Sequence, residues 1–144
     1  MHSKIILICI LIMIILASCS CINYYKDYSL FLKLNHEITI PKGSKLVYRA
    51  ENEGPHFHGD GYYYTVLKYK KRFTKEYLDN YKSGRNISIE NAITNILDEI
   101  QVPQEKRPNF TKEYYWDRKA VNGNDIYLLY FMEDNSLHIF EDIS

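Results

Sequence analysis

The sequence predicts an α+β domain with a mostly antiparallel sheet and one amphipathic helix packed on a face. Three observations lead to this prediction. Short runs rich in tyrosine, isoleucine and valine alternate apolar and polar residues, as half-buried strands do. One segment between these runs repeats its apolar residues at helical spacing. Turn sequences in the last third place successive strands side by side, so the expected element order is β-β-β-α-α-β-β-β.

The first strands are expected in "HEITIPKGSKLVYRAE", where two short β runs are separated by Pro41 and Gly43. In the second run, apolar and polar residues alternate, so one face of the strand is apolar and the other is mixed. A third strand is expected in "YYYTVLKYKK", which begins at Tyr62. We expect it to pair with the strand before it.

Two helices are expected in the middle of the chain. The first runs from Lys75 to Tyr81, with Thr74 as its N-cap. The second has Ser88 as its expected N-cap and ends before Pro103. Its apolar stripe could bind a partner helix, but such a stripe more often covers a sheet, which is the interpretation we favour. The stripe consists of Ile89, Ala92, Ile93, Ile96, Leu97 and Ile100.

The last third of the chain returns to β structure. Three strands are expected in "KEYYWDRKAV", "DIYLLYFMED" and "LHIFEDI". Asn122 and Gly123 separate the first two, and Asn-Gly is a strong signal for a tight hairpin turn. A second turn is expected near Asn135.

The N-terminus has the layout of a secretory signal. Lys4 precedes thirteen apolar residues, Ile5 to Ala17, whose helix would cover about 20 Å of a roughly 30 Å hydrocarbon core. The sequence "LASC", which ends at Cys19, resembles the lipobox of bacterial lipoproteins. The resemblance implies that residues 1–18 are removed and that Cys19 carries a lipid. An uncleaved N-terminal anchor is the alternative, and both interpretations place the domain on the outer face of the cell membrane.

One domain is expected after the signal peptide. Residues 19–30 would form the lipidated N-terminus and a short tether, and residues 31–144 a single α+β domain. Cys9 leaves with the signal and Cys21 has no partner, so no disulfide is expected. A domain of this length can build one hydrophobic core.

The balanced charge of the chain argues against binding to nucleic acids or to anionic lipid surfaces. The chain has 18 basic and 18 acidic residues and a net charge of zero, with no long run of one sign. Nucleic acids and anionic lipid surfaces both require a clustered basic patch. We therefore expect no nucleic-acid partner, and membrane contact through the lipid on Cys19.

The turn "GPHFHGDGYYY" is the one sequence that could carry chemistry. In an extended chain, His56, His58 and Asp60 would share a face, and His-X-His is a spacing that zinc uses. A closed zinc site needs about four ligands, so His36 or His138 would also have to converge. The alternative, which we favour, is a tight connection between strands without metal. Its structural glycines are Gly54, Gly59 and Gly61.

Other patterns of catalytic sites are absent from the sequence. It has no Gly-X-Ser-X-Gly, no P-loop and no Cys-X-X-Cys. The fourteen tyrosines could form a sugar-stacking platform, but tyrosine also suits a half-exposed strand surface, which is the simpler interpretation. We therefore expect no enzyme and no required cofactor, with zinc as the candidate if the turn binds a metal.

Three segments resemble a family of small, uncharacterised exported proteins and lipoproteins of low-GC Gram-positive bacteria. They are "FHGDG" (Phe57 to Gly61), "YYWDR" (Tyr114 to Arg118) and "YLLYFMEDNSLHIFED" (Tyr127 to Asp142). The resemblance implies the location and the architecture, and it supports His58 and Asp60 rather than His56. It implies no activity, because the family has none assigned.

Two classes of function follow from these observations. The first is a non-catalytic, membrane-anchored binding protein that interacts with another exported protein, for which an immunity-type lipoprotein is one form. The second is a lipoprotein that binds a metal or small ligand through the His-Phe-His-Gly-Asp turn.

Overall fold

The structure, a computed structural model, describes residues 28–52 and 61–143. The chain divides into two compact units, Met1–Lys42 and Gly43–Ser144. The predicted signal peptide, Cys19 and Cys21 lie outside the described residues.

The described part of the first unit is a helix followed by an extended segment. Helix α1 (Tyr28–His36) occupies residues where the end of the tether and the beginning of the domain are predicted. It ends where Glu37 adopts a left-handed backbone conformation, with φ of 56°. The strand predicted over "HEITI" is wrong, because residues 37–41 join no strand of the described sheet. Ile38 and Ile40 are buried, and the residues between and before them are exposed. This alternation of apolar and polar residues therefore comes from burial and not from strand pairing.

A six-stranded antiparallel sheet forms most of the second unit and confirms the predicted α+β class. Its strands are β1 (Ser44–Glu51), β2 (Gly61–Tyr69), β3 (Lys82–Ser83), β4 (Tyr115–Val121), β5 (Asn124–Phe131) and β6 (Ser136–Ile143). They lie in the order β1-β2-β6-β5-β4-β3, and every neighbouring pair is antiparallel. The predicted element order omitted β3, which lies between the two helices, because two residues leave no periodic pattern.

Two turns join the last three strands as predicted. Asn122 (φ 53°) and Gly123 (φ 87°) both adopt left-handed conformations between β4 and β5, which is typical of a type I′ hairpin. Asn135 (φ 60°) turns the chain from β5 into β6. Its side-chain amide donates to the carbonyl of Tyr69 at 2.8 Å, which ties this turn to the end of β2.

Helix α2 (Lys75–Leu78) has the predicted N-cap. The hydroxyl oxygen of Thr74 accepts a hydrogen bond from the backbone N–H of Tyr77 at 3.3 Å. The helix is shorter than the predicted span to Tyr81, because β3 begins at Lys82 and the chain must turn into the sheet.

Helix α3 (Ile87–Glu99) is the amphipathic helix that the sequence predicts, but its N-cap is Asn86 and not Ser88. Asn86 has an extended backbone, and its side-chain oxygen accepts a hydrogen bond from the N–H of Ile89 at 3.1 Å. Ser88 therefore lies inside the first turn. Both residue types cap helices well, so the sequence alone does not rank two candidates that are two positions apart.

The C-terminal end of α3 is closed by a Schellman motif. Gln101 is left-handed, with φ of 53°, and its N–H donates to the carbonyl of Asp98 at 3.1 Å. The N–H of Val102 donates to the carbonyl of Leu97 at 2.9 Å. These bonds satisfy carbonyls that the last turn leaves free, and Pro103 follows as predicted.

Helix α3 packs across β2 and β6, and we name the sheet face beneath it the helix face. Ile93 and Leu97 from the helix, with Leu129 and Phe140 from the sheet, are almost wholly buried there. The ring of Phe140 stacks on that of Tyr64, with centroids 4.6 Å apart. Burial of each such side chain stabilises the fold by about 1.5–3 kcal/mol.

The opposite face of the central strands is buried as well. Phe73, just before α2, stacks on Tyr130 with ring centroids 3.9 Å apart, and its N–H donates to the Tyr130 hydroxyl. Burial on both faces explains why β5 is an almost continuous apolar run. The other buried side chains of this face include Thr65, Leu67, Ile126, Leu128, Leu137 and Ile139.

Several tyrosines belong to the core, which corrects the expectation of half-exposed strand positions. Burial is tolerable because the hydroxyls of Tyr64, Tyr114 and Tyr130 have hydrogen-bond partners. The buried tyrosines are Tyr64, Tyr69, Tyr114, Tyr127 and Tyr130.

Candidate functional site

The predicted metal-binding turn falls on residues 53–60, outside the described residues. The candidates concerned are Gly54, His56, His58, Gly59 and Asp60. On its two flanks, the side-chain oxygen of Asn52 accepts a hydrogen bond from the N–H of Tyr62 at 2.9 Å, and Gly61 has φ of 145°, which favours glycine. The metal and turn hypotheses therefore both stay predictions.

A cluster of aromatic and charged side chains lies on the helix face of β4, beyond the strands on which α3 makes its main contacts. The strand register places Lys82 opposite Trp116, and Arg118 opposite Tyr127. Partners on neighbouring strands share a face, and so do residues two apart on one strand. These residues therefore form one surface, which we name the Trp116 surface: Lys82, Trp116, Arg118, Asp125 and Asp142, together with the buried ring of Tyr127 under Arg118.

Cations lie over two aromatic rings of this surface. The ammonium nitrogen of Lys82 is 4.8 Å from the ring centroid of Trp116, and the guanidinium carbon of Arg118 is 5.8 Å from that of Tyr127. Two further bonds hold the guanidinium of Arg118, because its Nε and Nη2 donate to the two carboxylate oxygens of Asp125, each at 2.9 Å. Its side chain is nevertheless 50% exposed, so a fixed cation faces solvent here.

Two carboxylates lie side by side at one end of the Trp116 surface. Asp125 and Asp142 are directly opposite each other in β5 and β6, and like charges in such positions destabilise a sheet. Arg118 pairs with Asp125, whereas no ion pair among the described residues involves Asp142. Partial burial and then the charge of Asp125 raise the pKa of Asp142. A cation supplied by a binding partner would relieve this repulsion.

The Trp116 surface is not predicted from the sequence, where Trp116 and Arg118 belong to a segment that carries a resemblance. Their alternate positions, next to the hairpin turn at Asn122 and Gly123, are a signal that they share a face. Asp142 could not be added from sequence, since its position depends on how β6 pairs with β5.

A shallow groove of about 510 Å³ lies beside the beginning of α3. Its cations are already paired: Arg85 donates two hydrogen bonds to the carboxylate of Glu90, and the ammonium group of Lys112 lies 3.1 Å from Glu133. We therefore assign the groove a structural role. Its lining residues are Ser83, Gly84, Arg85, Thr111, Lys112, Glu113, Tyr114 and Tyr115.

Glu90 ties α3 to the segment before β4. Its carboxylate is almost buried, and it accepts hydrogen bonds from Arg85 and, at 2.7 Å, from the hydroxyl of Tyr114. The bonds from Arg85 and then Tyr114 outweigh burial and lower the pKa of Glu90. The same hydroxyl accepts a hydrogen bond from the N–H of Asn86, the N-cap of α3. Tyr114 therefore links the N-cap to Glu90.

A chain of polar groups runs through the core beneath α3. The hydroxyl of Ser136 donates to Asp134 at 2.7 Å and lies 3.0 Å from Nε2 of His138. Nδ1 of His138 lies 2.8 Å from the hydroxyl of Tyr64, and that hydroxyl lies 2.9 Å from the carbonyl oxygen of Lys106. Asp134, Ser136 and His138 alternate along the chain, and His138 meets Tyr64 because β6 pairs with β2.

The chain contains serine, histidine and aspartate but is not a catalytic triad. Ser136 lies between Asp134 and His138, whereas a triad needs histidine between the other two. Ser136 is 3% exposed, so no substrate reaches its hydroxyl from solvent. Both ring nitrogens of His138 contact hydroxyls of the chain. Its participation in a metal site at the turn stays a prediction, because the turn lies outside the described residues.

Neither a metal cluster nor a membrane span occurs in the part of the chain that the structure describes. Within residues 28–52 and 61–143, no three histidine, cysteine, aspartate or glutamate side chains lie close enough together to hold a metal ion. None of the helices in these ranges has the length and apolar composition to cross a membrane. Comparison of the chain with protein-family models, curated proteins and solved structures finds no match.

Proposed function

We propose that this protein is a non-catalytic binding protein that is anchored on the outer face of the cell membrane by a lipid on Cys19. It captures another exported protein through the Trp116 surface, as an immunity-type lipoprotein would. The anchor is supported by the signal-like N-terminus and the lipobox-like "LASC". The resemblance to small exported lipoproteins supports the same location.

One observation carries the binding function: a partly buried tryptophan and a fixed, half-exposed arginine lie on the same surface as Asp142, a carboxylate with a raised pKa. Trp, Tyr and Arg are the residues that most often dominate the binding energy of protein interfaces. Arg118 is already held by Asp125, so little conformational entropy is lost when a partner binds it. The partner is expected to present an apolar side chain to Trp116 and a lysine or arginine to Asp142.

Capture from intact producer cells tests the binding surface. The full chain, cross-linked to its neighbours, is compared with Trp116→Ala and Asp142→Lys. Both variants should lose the partner that the natural protein retains. Ile87→Ser is the matched control, because Ile87 is an exposed apolar residue outside this surface, at 60% exposure. Equal capture by all four proteins would exclude the Trp116 surface as the binding site.

Metabolic labelling with an alkyne analogue of palmitate tests the anchor separately. The natural protein and Cys21→Ser should both incorporate the label, while Cys19→Ser should not, because the lipid is attached to a thiol at that position. Label that persists in Cys19→Ser and disappears in Cys21→Ser would show that the lipid is attached to Cys21 and not to Cys19. Absence of label in all three proteins would support an uncleaved N-terminal anchor.

The alternative function is binding of zinc or a small ligand by His56, His58 and Asp60. The observation that favours it is the clamp between Asn52 and Tyr62, which holds the two flanks of this segment together. Calorimetric titration of the full chain with zinc should show binding that His58→Ala abolishes. Binding that is equally strong in the variant would exclude this turn as the site.

A further inference from the structure

The polar chain beneath α3 has acceptors at both ends. One end is the carboxylate of Asp134 and the other is the backbone carbonyl of Lys106, neither of which can donate a proton when Asp134 is ionised. Between them lie the hydroxyl of Ser136, the imidazole of His138 and the hydroxyl of Tyr64. Four contacts of 2.7 to 3.0 Å therefore join five groups.

These four contacts need four protons, one for each hydrogen bond. The two hydroxyls supply one proton each, and a neutral imidazole supplies one more, which makes three. A neutral His138 thus leaves one contact without a hydrogen bond. An imidazolium donates from both nitrogens, so protonation of His138 fills all four contacts.

The strengths of the acceptors decide which contact lacks its proton. The Asp134 carboxylate is the strongest acceptor and retains the proton of Ser136. The hydroxyl oxygen of Ser136 must then accept from Nε2–H of His138, and the free Nδ1 accepts from Tyr64. The carbonyl of Lys106 is left without the proton of Tyr64.

We infer that His138 is a proton switch for the turn at Gln104–Lys106. Protonation of His138 at Nδ1 makes this nitrogen a donor to Tyr64, whose hydroxyl proton then turns to the carbonyl of Lys106 and holds the turn on the sheet. Loss of that proton returns the Tyr64 hydroxyl to Nδ1 and removes its hydrogen bond to the turn. One proton enters or leaves the chain, and no other bond changes.

The surroundings of His138 set the conditions for this switch. Asp134 is the charged group that acts on His138, and the ring of Phe131 from β5 lies 4.9 Å from the imidazole. Ionisable groups from other elements include Tyr48 beside Tyr64 and Lys106, whose ammonium nitrogen lies 5.9 Å from the ring centroid of Tyr48. The exposed Lys68 lies opposite Ser136, and on α3 the carboxylate of Glu90 is paired with Arg85. Burial lowers the pKa of His138 to about 4, against the smaller opposing effect of Asp134. His138 is therefore neutral at neutral pH, where the carbonyl of Lys106 lacks the proton of Tyr64.

Nitrogen NMR of the labelled full chain in detergent micelles tests the inference. At pH 7, the imidazole of His138 should carry its proton on Nε2. Asp134→Asn adds a side-chain amide that can donate to Ser136, which supplies the fourth proton without charging the imidazole. In this variant Ser136 donates to Nε2, so the proton of His138 should move to Nδ1. The same tautomer in both proteins, or a proton on Nδ1 in the natural protein, would overturn the switch.

A second readout does not depend on the folding of the Asn variant. In the natural protein, the carbonyl carbon resonance of Lys106 should shift with the same pH midpoint as the ring nitrogens of His138. Tyr64→Phe removes the hydroxyl that joins the two groups, so the Lys106 resonance should no longer follow His138. The inference would also be refuted if the Lys106 resonance does not shift with the titration of His138 in the natural protein, or if it still shifts with that titration in Tyr64→Phe.

Discussion

The helix face of the sheet has two regions that use polar groups in opposite ways. Beneath α3, Ser136 and His138 are buried, and each contacts other polar groups of the chain. On the Trp116 surface, Arg118 is half exposed, and Asp142 has no ion-pair partner among the described residues. Burial, more than residue type, therefore separates polar groups that stabilise the fold from those that a partner can reach.

This comparison predicts two patterns of mutational effect. Changes beneath α3 should reduce the free energy of unfolding and leave the binding surface in place. Changes on the Trp116 surface should leave stability nearly unchanged and weaken binding, because solvent-exposed pairs contribute little to folding.

Phe140→Ala should cause the largest loss. Phe140 is fully buried and stacked on Tyr64, so its removal leaves a cavity and is expected to lower the free energy of unfolding by about 4 kcal/mol. Urea denaturation followed by circular dichroism measures the change. A loss below about 1 kcal/mol would show that the region beneath α3 is not the tightly packed core.

Acid should destabilise the protein through His138. Its pKa in the folded state is lowered from 6.5 to about 4, so between these values the unfolded chain takes up a proton that the folded chain does not. The free energy of unfolding should therefore decrease by roughly 3 kcal/mol as the pH falls across this window. His138→Asn should show a decrease smaller by this amount in parallel denaturation curves. Identical pH profiles would contradict the prediction.

Glu90→Gln should have an intermediate effect of about 2 kcal/mol, because it removes a nearly buried carboxylate that accepts from both Arg85 and Tyr114. Arg85→Ala is the matched comparison, and it should cost less because Arg85 is 62% exposed. Thermal and urea unfolding of the two variants measure the order. A larger loss for Arg85→Ala would reverse the assignment of Glu90 as the centre of this network.

Arg118→Ala should have the smallest effect on stability, under about 1 kcal/mol, because its pair with Asp125 is half exposed. The same variant should clearly weaken capture of the partner, since the fixed cation of the Trp116 surface is lost. Urea denaturation and the cross-linked capture described above measure the two effects. If Arg118→Ala strongly destabilises the protein and leaves capture unchanged, the Trp116 surface does not differ from the region beneath α3 in the way proposed.

Local features of the fold were predictable because their signals lie within a few residues. Asn122 and Gly123 form the expected hairpin turn, since both must be left-handed and few residue pairs tolerate this. Thr74 caps α2 through the N–H three residues later. The apolar stripe of α3 follows from helical periodicity, and the helix packs on the sheet as expected.

Errors arose where a pattern has two physical causes. The alternation at Ile38 and Ile40 predicts a strand but results from burial alone, because burial and strand pairing both produce a period of two. Ser88 is predicted as the cap of α3 and Asn86 caps it, because both side chains can accept the same kind of hydrogen bond. The two-residue β3 has no period at all, so only its pairing with β4 defines it.

The sequence by itself determined the α+β class, the two hairpin turns and the main helix, because hydrophobic periodicity and turn chemistry act over short distances along the chain. Only the tertiary structure decided the polar chain and the Trp116 surface. Tyr64 and His138 are 74 residues apart and meet because β2 pairs with β6, and Asp142 lies beside Asp125 because β6 pairs with β5. Strand order and register are long-range properties, and a shift of one residue would place each of these side chains on the other face of the sheet.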